Sequence, residues 1–167
     1  MPTPDFILEL RERVGHASLW LSGVTAVVLR PAQPLEVLLV RRADNGAWTP
    51  VTGIVDPGEE PADAAAREVL EEAGVVAEPE RLAWVQVIDP IVYPNGDRSQ
   101  FLDLVFRMRW LSGTPYPADG ENSDARWFGL DALPPLSENM AERIRRALPE
   151  RGEAGFRFGG VERQPGR

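Results

Sequence analysis

Two spacings of hydrophobic positions alternate along this chain and predict its strands and helices. Short apolar runs rich in β-branched residues, as at residues 37–40, indicate buried strands. Apolar residues three or four positions apart, such as Met140 and Ile144, indicate amphipathic helices. We therefore predict strands at residues 23–30, 36–42, 48–52, 81–93, 100–110 and 126–128. We predict helices at residues 5–14, 61–73 and 137–148.

Turn-forming residues separate these elements and suggest how they connect. Asn95-Gly96 predicts a hairpin between the strands at 81–93 and 100–110, and Pro90 is expected to bend or end the first of them. Gly74 is placed to end the helix at 61–73 in a left-handed cap. Strands that alternate with a few helices and are joined by hairpins are typical of an α/β sandwich with a mixed sheet.

The chain divides into one predicted domain and two flanking segments. The domain covers residues 23–148, and residues 1–22 form an N-terminal extension whose short helix packs on the domain or on a partner subunit. Residues 149–167 contain five glycines and two prolines, a composition that favours a flexible tail. Phe156 and Phe158 are the side chains of the tail that could anchor it.

The helix at 61–73 carries a group of carboxylates that points to metal chemistry. Glu68 lies three residues before Glu71 and four before Glu72, so all three share one helical face. Ala65 and Val69 form a separate apolar stripe for the core. Like charges at these spacings repel, and a hard divalent cation would offset that repulsion, because oxygen ligands suit magnesium and manganese. The alternative is a solvated acidic face.

The stretch around this helix resembles the Nudix box, the signature of the Nudix hydrolases. That pattern is Gly, five residues, Glu, seven residues, then Arg-Glu-aliphatic-any-Glu-Glu-any-Gly-aliphatic. A chance match to its fixed positions at one starting point is on the order of 10⁻⁸. The matching residues are Gly53, Glu59, Arg67, Glu68, Val69, Glu71, Glu72, Gly74 and Val75.

The resemblance implies an α/β/α sandwich and a set of metal ligands. The family hydrolyses a nucleoside diphosphate linked to another group, X, by attack of water on one phosphorus. The resemblance assigns Glu68, Glu71 and Glu72, with the Gly53 carbonyl, to Mg²⁺, and Mn²⁺ is an alternative. The residue before the box glycine, usually glycine in the family, is Thr52 in this chain.

The resemblance also implies catalytic and supporting roles. Glu68 is our first choice for the group that activates water, and Glu121, in the acidic loop before the strand at 126–128, is the second. Asp124 is a third candidate, with a surface role as the alternative. Arg67 and Glu59 are expected to support the site, with Arg67 orienting nearby carboxylates through charge-assisted hydrogen bonds.

The substrate is less strongly indicated than the reaction. Arg41 and Arg42 alternate faces on the strand before the box, and we expect one of them to bind substrate phosphate. Tyr93 is a candidate for substrate binding. Like Trp48 and Phe101, it could stack on a base, although an aromatic residue near a strand more often joins the core. Pro90 and Tyr93 lie fifteen and eighteen residues past Val75. By resemblance the proline is typical of ADP-ribose hydrolases, and the tyrosine of dinucleoside polyphosphate hydrolases.

We therefore favour ADP-ribose or a similar nucleotide sugar as the substrate, with a nucleoside triphosphate or dinucleoside polyphosphate as the alternative. The net charge of −8 supports this choice, since an acidic surface repels a substrate with two phosphates less than a substrate with four. The same charge argues against general nucleic-acid binding. A non-catalytic nucleotide-sensing module is the alternative of another class. Isoprenoid diphosphate isomerases share the fold, but by resemblance they use a cysteine, and this chain has none.

The remaining expectations concern composition and assembly. With no cysteine and one histidine, thiolate zinc sites are excluded and histidine-based metal sites are disfavoured. All 18 basic residues are arginine, so phosphate contacts would come from guanidinium groups. No membrane-spanning run or signal peptide is evident, which favours a cytoplasmic location. The N-terminal helix has no obvious place in a minimal domain, so we expect a homodimer.

Overall fold

A computed structural model describes residues 3–159 and 161–163 of the chain, the last three by their backbone alone. The helices are α1 (Asp5–Val14), α2 (Pro61–Ala73) and α3 (Glu138–Ala147). The strands are β1 (Ser18–Arg30), β2 (Glu36–Arg42), β3 (Trp48–Thr49), β4 (Val51–Ile54), β5 (Val76–Val87), β6 (Ile91–Val92), β7 (Arg98–Ser112), β8 (Asn122–Gly129), β9 (Phe156–Phe158) and β10 (Val161–Arg163).

A mixed sheet forms the centre of the molecule. Its main strands follow the order β3-β2-β1-β7-β5, while β4 pairs with β1, β6 with β7, and β8 with β2. The β1–β7 pair is parallel, and the other pairs in this sheet are antiparallel. The predicted mixed sheet is therefore confirmed.

Helices cover both faces of this sheet and give it two hydrophobic cores. On one face Ala65 and Val69 of α2 pack among side chains that include Val24 of β1. On the other face Ile144 of α3 packs among side chains that include Val27 of β1 and Trp84 of β5. Since β1 is buried on both faces, its run of apolar residues shows little alternation. This arrangement is the predicted α/β/α sandwich.

Helix α2 begins and ends where its sequence indicates. Pro61 occupies the first turn, where its missing N–H leaves no donor unused. Gly74 ends the helix with φ 64° and donates its N–H to the carbonyl of Leu70. A Cβ on Gly74 would lie 2.1 Å from the Tyr116 ring, so both the left-handed backbone and the lack of space require glycine.

Helix α1 covers the end of the sheet on the face that α3 also covers. Ile7 is buried against Leu21 of β1 and Phe101 of β7. Arg11 donates to the carbonyl of Arg98 at 2.7 Å and to the hydroxyl of Ser99 at 3.2 Å, which holds α1 against the start of β7. The predicted helix at residues 5–14 is confirmed. Among the described helices, none is long and apolar enough to cross a membrane.

Several strands are longer than predicted, because strand pairing continues beyond the apolar runs. β1 starts at Ser18, five residues before the predicted start, because residues 18–22 pair in register with β7. β5 starts at Val76 instead of residue 81 because its first residues pair with the end of β7. β8 covers residues 122–129 instead of 126–128, and it pairs along β2. The hairpin at Asn95-Gly96 is confirmed and joins β6 to β7.

The tail is anchored differently from our expectation. Gly155 donates to the carbonyl of Ala83 at 2.9 Å and accepts from the Val85 N–H at 3.0 Å, so backbone pairing attaches it to the edge strand β5. Phe156 and Phe158 are 52% and 66% exposed, and the prediction that they anchor the tail is wrong. Part of the predicted flexible tail instead forms the β9–β10 hairpin, whereas residues 160 and 164–167 lie outside the described residues.

Two arginines from the sheet bind the C-terminal end of α3. Arg107 of β7 donates from Nη1 to the carbonyls of Ala147 at 3.0 Å and Leu148 at 2.7 Å. Arg81 of β5 donates to the carbonyl of Arg146 at 2.7 Å. The last carbonyls of a helix have no partner within it and carry partial negative charge, so these guanidinium groups stabilise the helix end.

We predict that Arg107→Met lowers the free energy of unfolding by about 2–4 kcal/mol, since it removes charge-assisted bonds to carbonyls around a side chain that is only 7% exposed. Arg109→Met is the matched control on the same strand. The Arg109 side chain is 54% exposed and pairs with Glu78, so its loss should cost much less, because exposed ion pairs contribute little to stability. Urea unfolding measures both, and equal losses would show that the contacts to α3 contribute little.

Candidate active site

A cleft of about 590 Å³ opens beside α2 and extends to the face of the sheet that α1 and α3 cover. Glu68 and Glu72 of α2 line one part of it, with Gly53 of β4. Tyr93 and Arg143 line other parts. The cleft therefore connects the carboxylates of the box to a largely apolar region between the two helices.

Arg67 binds three of the box carboxylates at once. It forms two hydrogen bonds with Glu59, from Nε at 2.8 Å and from Nη2 at 2.9 Å. Its Nη1 donates to Glu68 at 3.0 Å and to Glu71 at 3.2 Å, and Nη2 also donates to the carbonyl of Ile54 at 3.2 Å. The hydrogen bonds to Arg67 hold the pKa of Glu59 below its usual value. Arg67 therefore does more than form a simple pair with Glu71.

Glu68 is a buried carboxylate with one oxygen unused. The residue is 1% exposed, and Oε2 has no hydrogen-bond partner while being sealed from solvent. Burial raises the pKa of Glu68 to about 7, against the opposing effect of Arg67. A Cβ on Gly53 would lie 2.1 Å from the Glu68 carboxyl carbon, so only glycine allows β4 to approach this side chain.

Glu72 is the second buried carboxylate, and the loop that follows β7 closes over its end of α2. Its Oε2 accepts a hydrogen bond from the side chain of Asn122 at 3.0 Å. Burial raises the pKa of Glu72 to about 8, and the bond from Asn122 opposes this shift. The N–H of Ala118 donates to the Glu72 carbonyl at 3.1 Å, and that of Tyr116 donates to the Ala73 carbonyl at 3.1 Å.

Glu71, the third carboxylate of this face, has a different environment. Its side chain is 42% exposed and pairs with Arg67. Within the described residues, no three His, Cys, Asp or Glu side chains gather in a way that could hold a metal ion. Glu68 and Glu71 both bind Arg67, whereas Glu72 binds Asn122. Glu68 and Glu72 both line the cleft, and the metal ligand set stays a prediction.

The buried carboxylates nevertheless fit a divalent cation. An ionised carboxylate is costly to bury without a positive partner, and Oε2 of Glu68 has none. Oxygen donors from Glu68 and Glu72, next to the backbone of Gly53, are the type that Mg²⁺ and Mn²⁺ prefer. A cation bound there would stabilise the ionised form of both carboxylates and so oppose the effect of burial on their pKa values.

The other acidic candidates lie in unequal positions. Glu121 lines the cleft with Arg42 and Glu72, and its backbone carbonyl accepts a hydrogen bond from the Ala43 N–H at 2.9 Å. Asp124 is on β8 and pairs with Arg126, whose hydrogen bond lowers the pKa of Asp124. Asp124 is not among the residues that line the cleft.

The two candidate phosphate-binding arginines are separated by the pleat of β2. Arg42 lines the cleft, and its guanidinium binds Asp44 through two hydrogen bonds at 2.9 and 2.6 Å. Arg41 donates from Nε to the carbonyl of Gly46 at 3.2 Å and so holds the turn before β3. Of the pair, Arg42 is therefore the one placed beside Glu72 and Glu121.

The aromatic candidates are also separated by the fold. Tyr93 is 37% exposed at the cleft, and burial raises the pKa of its phenol. Phe101 is 8% exposed in the core below α1 while one side of it borders the cleft. Trp48 packs edge-on against Phe128 with ring centroids 4.9 Å apart.

Two polar residues of this region were not identified from the sequence. Asn122, at the start of β8, binds Glu72 from fifty residues away in the sequence, and nothing in its local sequence indicates that partner. Arg143 was assigned only to an amphipathic helix, although it lines the cleft and is 4% exposed. The one signal in the sequence is the position of Arg143 between Met140 and Ile144, the apolar residues of the predicted helix.

Comparison with known proteins identifies the family. The model of the NUDIX domain matches residues 20–150. The NAD-capped RNA hydrolase NudC of Vibrio cholerae is 34% identical over 124 residues, which are 74% of this chain and 42% of that protein. A MutT-like protein of Streptomyces ambofaciens is 35% identical over 120 residues, which are 72% of this chain and 69% of that protein.

Solved structures agree with the fold. An ADP-ribose pyrophosphatase from Streptococcus suis superposes with a TM-score of 0.62 at 25% identity, and the match covers 82% of this chain and 98% of that one. The chain spans 34–42% of the length of the NudC proteins that it matches. The match of the domain model over most of the sequence shows that this chain belongs to the Nudix hydrolase family.

Proposed function

We propose that this protein is a pyrophosphohydrolase that depends on a divalent cation and cleaves the diphosphate of a nucleoside diphosphate linked to X. The observation that carries the proposal is the pair of buried carboxylates, Glu68 and Glu72, of which Glu68 has an oxygen without any partner. A solvated acidic face would leave both side chains in water. The pair lies in a cleft large enough for a nucleotide.

In this proposal some residues balance the charge of the substrate phosphates, and others fix the positions of the carboxylates. A cation held by Glu68, Glu71 and Glu72, with the Gly53 carbonyl, would neutralise phosphate charge and lower the pKa of a bound water. Arg67 and Glu59 fix the direction of the Glu68 carboxylate through the hydrogen bonds described above. Arg42 supplies positive charge beside Glu72 and Glu121, where its guanidinium, which also binds Asp44, can donate to a phosphate.

Two carboxylates remain as alternatives for the group that takes the proton from water. Glu68 is the first choice because Arg67 binds its Oε1 and the buried Oε2 has no hydrogen-bond partner within the protein. Glu121 is the second because it lines the same cleft from the loop before β8. Asp124 is disfavoured because it pairs with Arg126.

The proposed substrate is ADP-ribose or a similar molecule with a sugar on each side of the diphosphate. NAD, the cap in the name of the NudC relatives, and ADP-ribose, in the name of the superposed pyrophosphatase, share that feature. A nucleoside triphosphate or dinucleoside polyphosphate is the alternative. The names of the relatives include an RNA, so the prediction against general nucleic-acid binding does not extend to an RNA that carries such a diphosphate at its end.

A nucleotide-sensing module without hydrolysis is the alternative of another class. That function would need the binding cleft but not the carboxylates. The box glutamates are all present, and Arg67 and Gly53 hold Glu68 in a defined position. These features favour catalysis over sensing.

We predict that Glu68→Gln combined with Glu72→Gln abolishes turnover and also removes the rise in melting temperature that Mg²⁺ or Mn²⁺ gives the wild type. In metal-free buffer at pH 8 the variant should be at least as stable as the wild type, because burial raises the pKa of both carboxylates and so makes their ionised forms unfavourable, whereas the amides carry no charge. Glu150→Gln, at an exposed position, controls for the loss of a charge. A cation-induced rise that survives in the double variant would place the metal elsewhere, and a lower metal-free melting temperature would make both glutamates structural.

A substrate panel tests the proposed class. With magnesium present, we expect kcat/KM for ADP-ribose or another nucleoside diphosphate sugar to exceed that for nucleoside triphosphates and dinucleoside polyphosphates. A tenfold preference for a triphosphate, equivalent to about 1.4 kcal/mol in transition-state stabilisation, would reverse our choice of substrate but keep the reaction. Tight binding of the whole panel with no hydrolysis would favour the sensing module.

The homodimer stays a prediction that light scattering checks. Helix α1 buries Ile7 but leaves Leu8 50% and Val14 45% exposed, and a partner subunit would cover such side chains. We expect twice the chain mass, 18.5 kDa, at micromolar concentration. A monomer mass under those conditions would contradict the prediction.

A further inference from the structure

A cluster of five polar side chains borders the cleft through Asp103 and Arg143, and all of its members except the half-buried Asn139 are buried. Arg143 of α3 donates to the Thr25 hydroxyl at 2.7 Å and to the Asn139 side chain at 2.9 Å. Thr25 in turn donates to Asp103 at 2.8 Å, and Gln86 donates to Asp103 at 2.9 Å. Asn139 closes the cluster by donating to Gln86 at 3.0 Å.

This polar cluster carries no net charge, and its two charged side chains are almost fully buried. The guanidinium of Arg143 lies 3.5 Å from the carboxylate of Asp103, and both side chains are 5% exposed. Burial lowers the pKa of Arg143, and the charge of Asp103 opposes that effect. Buried ion pairs often add little stability compared with apolar residues of similar size. A contribution to folding stability is therefore a weak explanation for the presence of this cluster.

One donor group in the cluster is unused. Nε and Nη1 of Arg143 bind Asn139 and Thr25, whereas Nη2 has no hydrogen-bond partner among the residues that the structure describes. Nη2 is also not among the polar atoms that are both unbonded and sealed from solvent. Since Arg143 borders the cleft, its two Nη2 hydrogens are available to a group bound there.

Apolar side chains line the same cleft as this donor. They include Leu21, Ile88, Phe101 and Met140, and Tyr93 lies at the cleft as well. Glu68 and Glu72 line another part of the same cleft. A substrate with its diphosphate at the two glutamates would therefore extend one of its end groups between apolar walls, with Arg143 as a donor.

We propose that Arg143 determines specificity by donating a hydrogen bond from Nη2 to an acceptor atom of the substrate's nucleobase. This inference rests on the proposed function for its substrate but concerns a different part of the cleft. A neutral base fits better than a second phosphate group, because Asp103 already balances the charge of Arg143 and the glutamates of α2 would repel an additional anion. The apolar walls favour the same choice.

The simplest alternative is that the cluster only fixes α3 to the sheet. The first experiment separates these possibilities on the unaltered protein. Calorimetry with magnesium present compares AMP, GMP and UMP with ribose 5-phosphate, which has the same sugar phosphate and no base. We expect at least one nucleotide to bind at least tenfold more tightly than ribose 5-phosphate. Equal affinities for all four would overturn the proposal.

The second experiment removes the donor. Arg143→Met should weaken binding of the preferred nucleotide about tenfold, to the level of ribose 5-phosphate, and leave ribose 5-phosphate itself unchanged. Arg145→Met is the matched control on the same helix, since that side chain is 62% exposed and should have no effect. A variant that weakens both ligands equally would mean that Arg143 binds the sugar phosphate, and one that weakens neither would mean that its role is structural.

A combined variant guards against loss of folding. Arg143→Met leaves Asp103 buried without its cation, and Arg143→Met with Asp103→Asn keeps the cluster neutral. The double variant should fold and show the same selective loss of nucleotide binding. If it folds and retains the preference for a nucleotide over ribose 5-phosphate, the proposal is wrong.

Turnover separates this inference from the proposed function. For an active substrate, Arg143→Met should raise KM about tenfold with kcat within about twofold, because the contact is made equally in the ground and transition states. An inactive protein that still shows Arg143-dependent nucleotide binding would disprove the hydrolase and keep the inference. If the protein is active and substitution of Arg143 changes neither KM nor nucleotide affinity, the hydrolase proposal stands and this inference is wrong.

Discussion

The close contact between Gly53 on β4 and Glu68 on α2 is the constraint on which the site depends. The carboxyl of Glu68 fills the space that a side chain at position 53 would occupy, so the helix and the strand approach without an intervening residue. This approach buries Glu68, and burial in turn makes its unpaired oxygen a site for positive charge. Arg67, which is also on α2, completes the arrangement by binding Glu59, Glu68 and Glu71.

Much of the fold follows from local pattern. Helix α2 was predicted with its bounds because Pro61 and Gly74 are strong signals at its ends, and the helix is long and periodic. Strand β2 was predicted with its bounds because its apolar run is compact. The starts of β1 and β5 were missed because pairing with the long strand β7 decides them, and the residues at those starts do not themselves specify a pairing partner.

The site was predictable where a single helix presents it and less so elsewhere. The spacing of Glu68 and Glu72 indicated a shared face, and both side chains line the cleft. Their unequal environments were not predictable, because Asn122 reaches Glu72 from β8, whereas Glu71 is 42% exposed and binds Arg67. The choice between Arg41 and Arg42 needed the register of β2 in the sheet, which the sequence alone does not supply.

The two parts of the cleft use buried charge in different ways. At α2, Glu68 and Glu72 are buried without enough positive charge, so that part of the cleft is suited to a cation and, through it, to phosphate. On the opposite face of the sheet, Asp103 and Arg143 balance each other, so that part is suited to a neutral group. The paired strands β1 and β4 belong to the sheet that separates the two faces, so they lie between the region proposed for the diphosphate and the region proposed for the nucleobase. If both proposals hold, the residues that contact the base and the carboxylates of the box belong to different faces of the sheet.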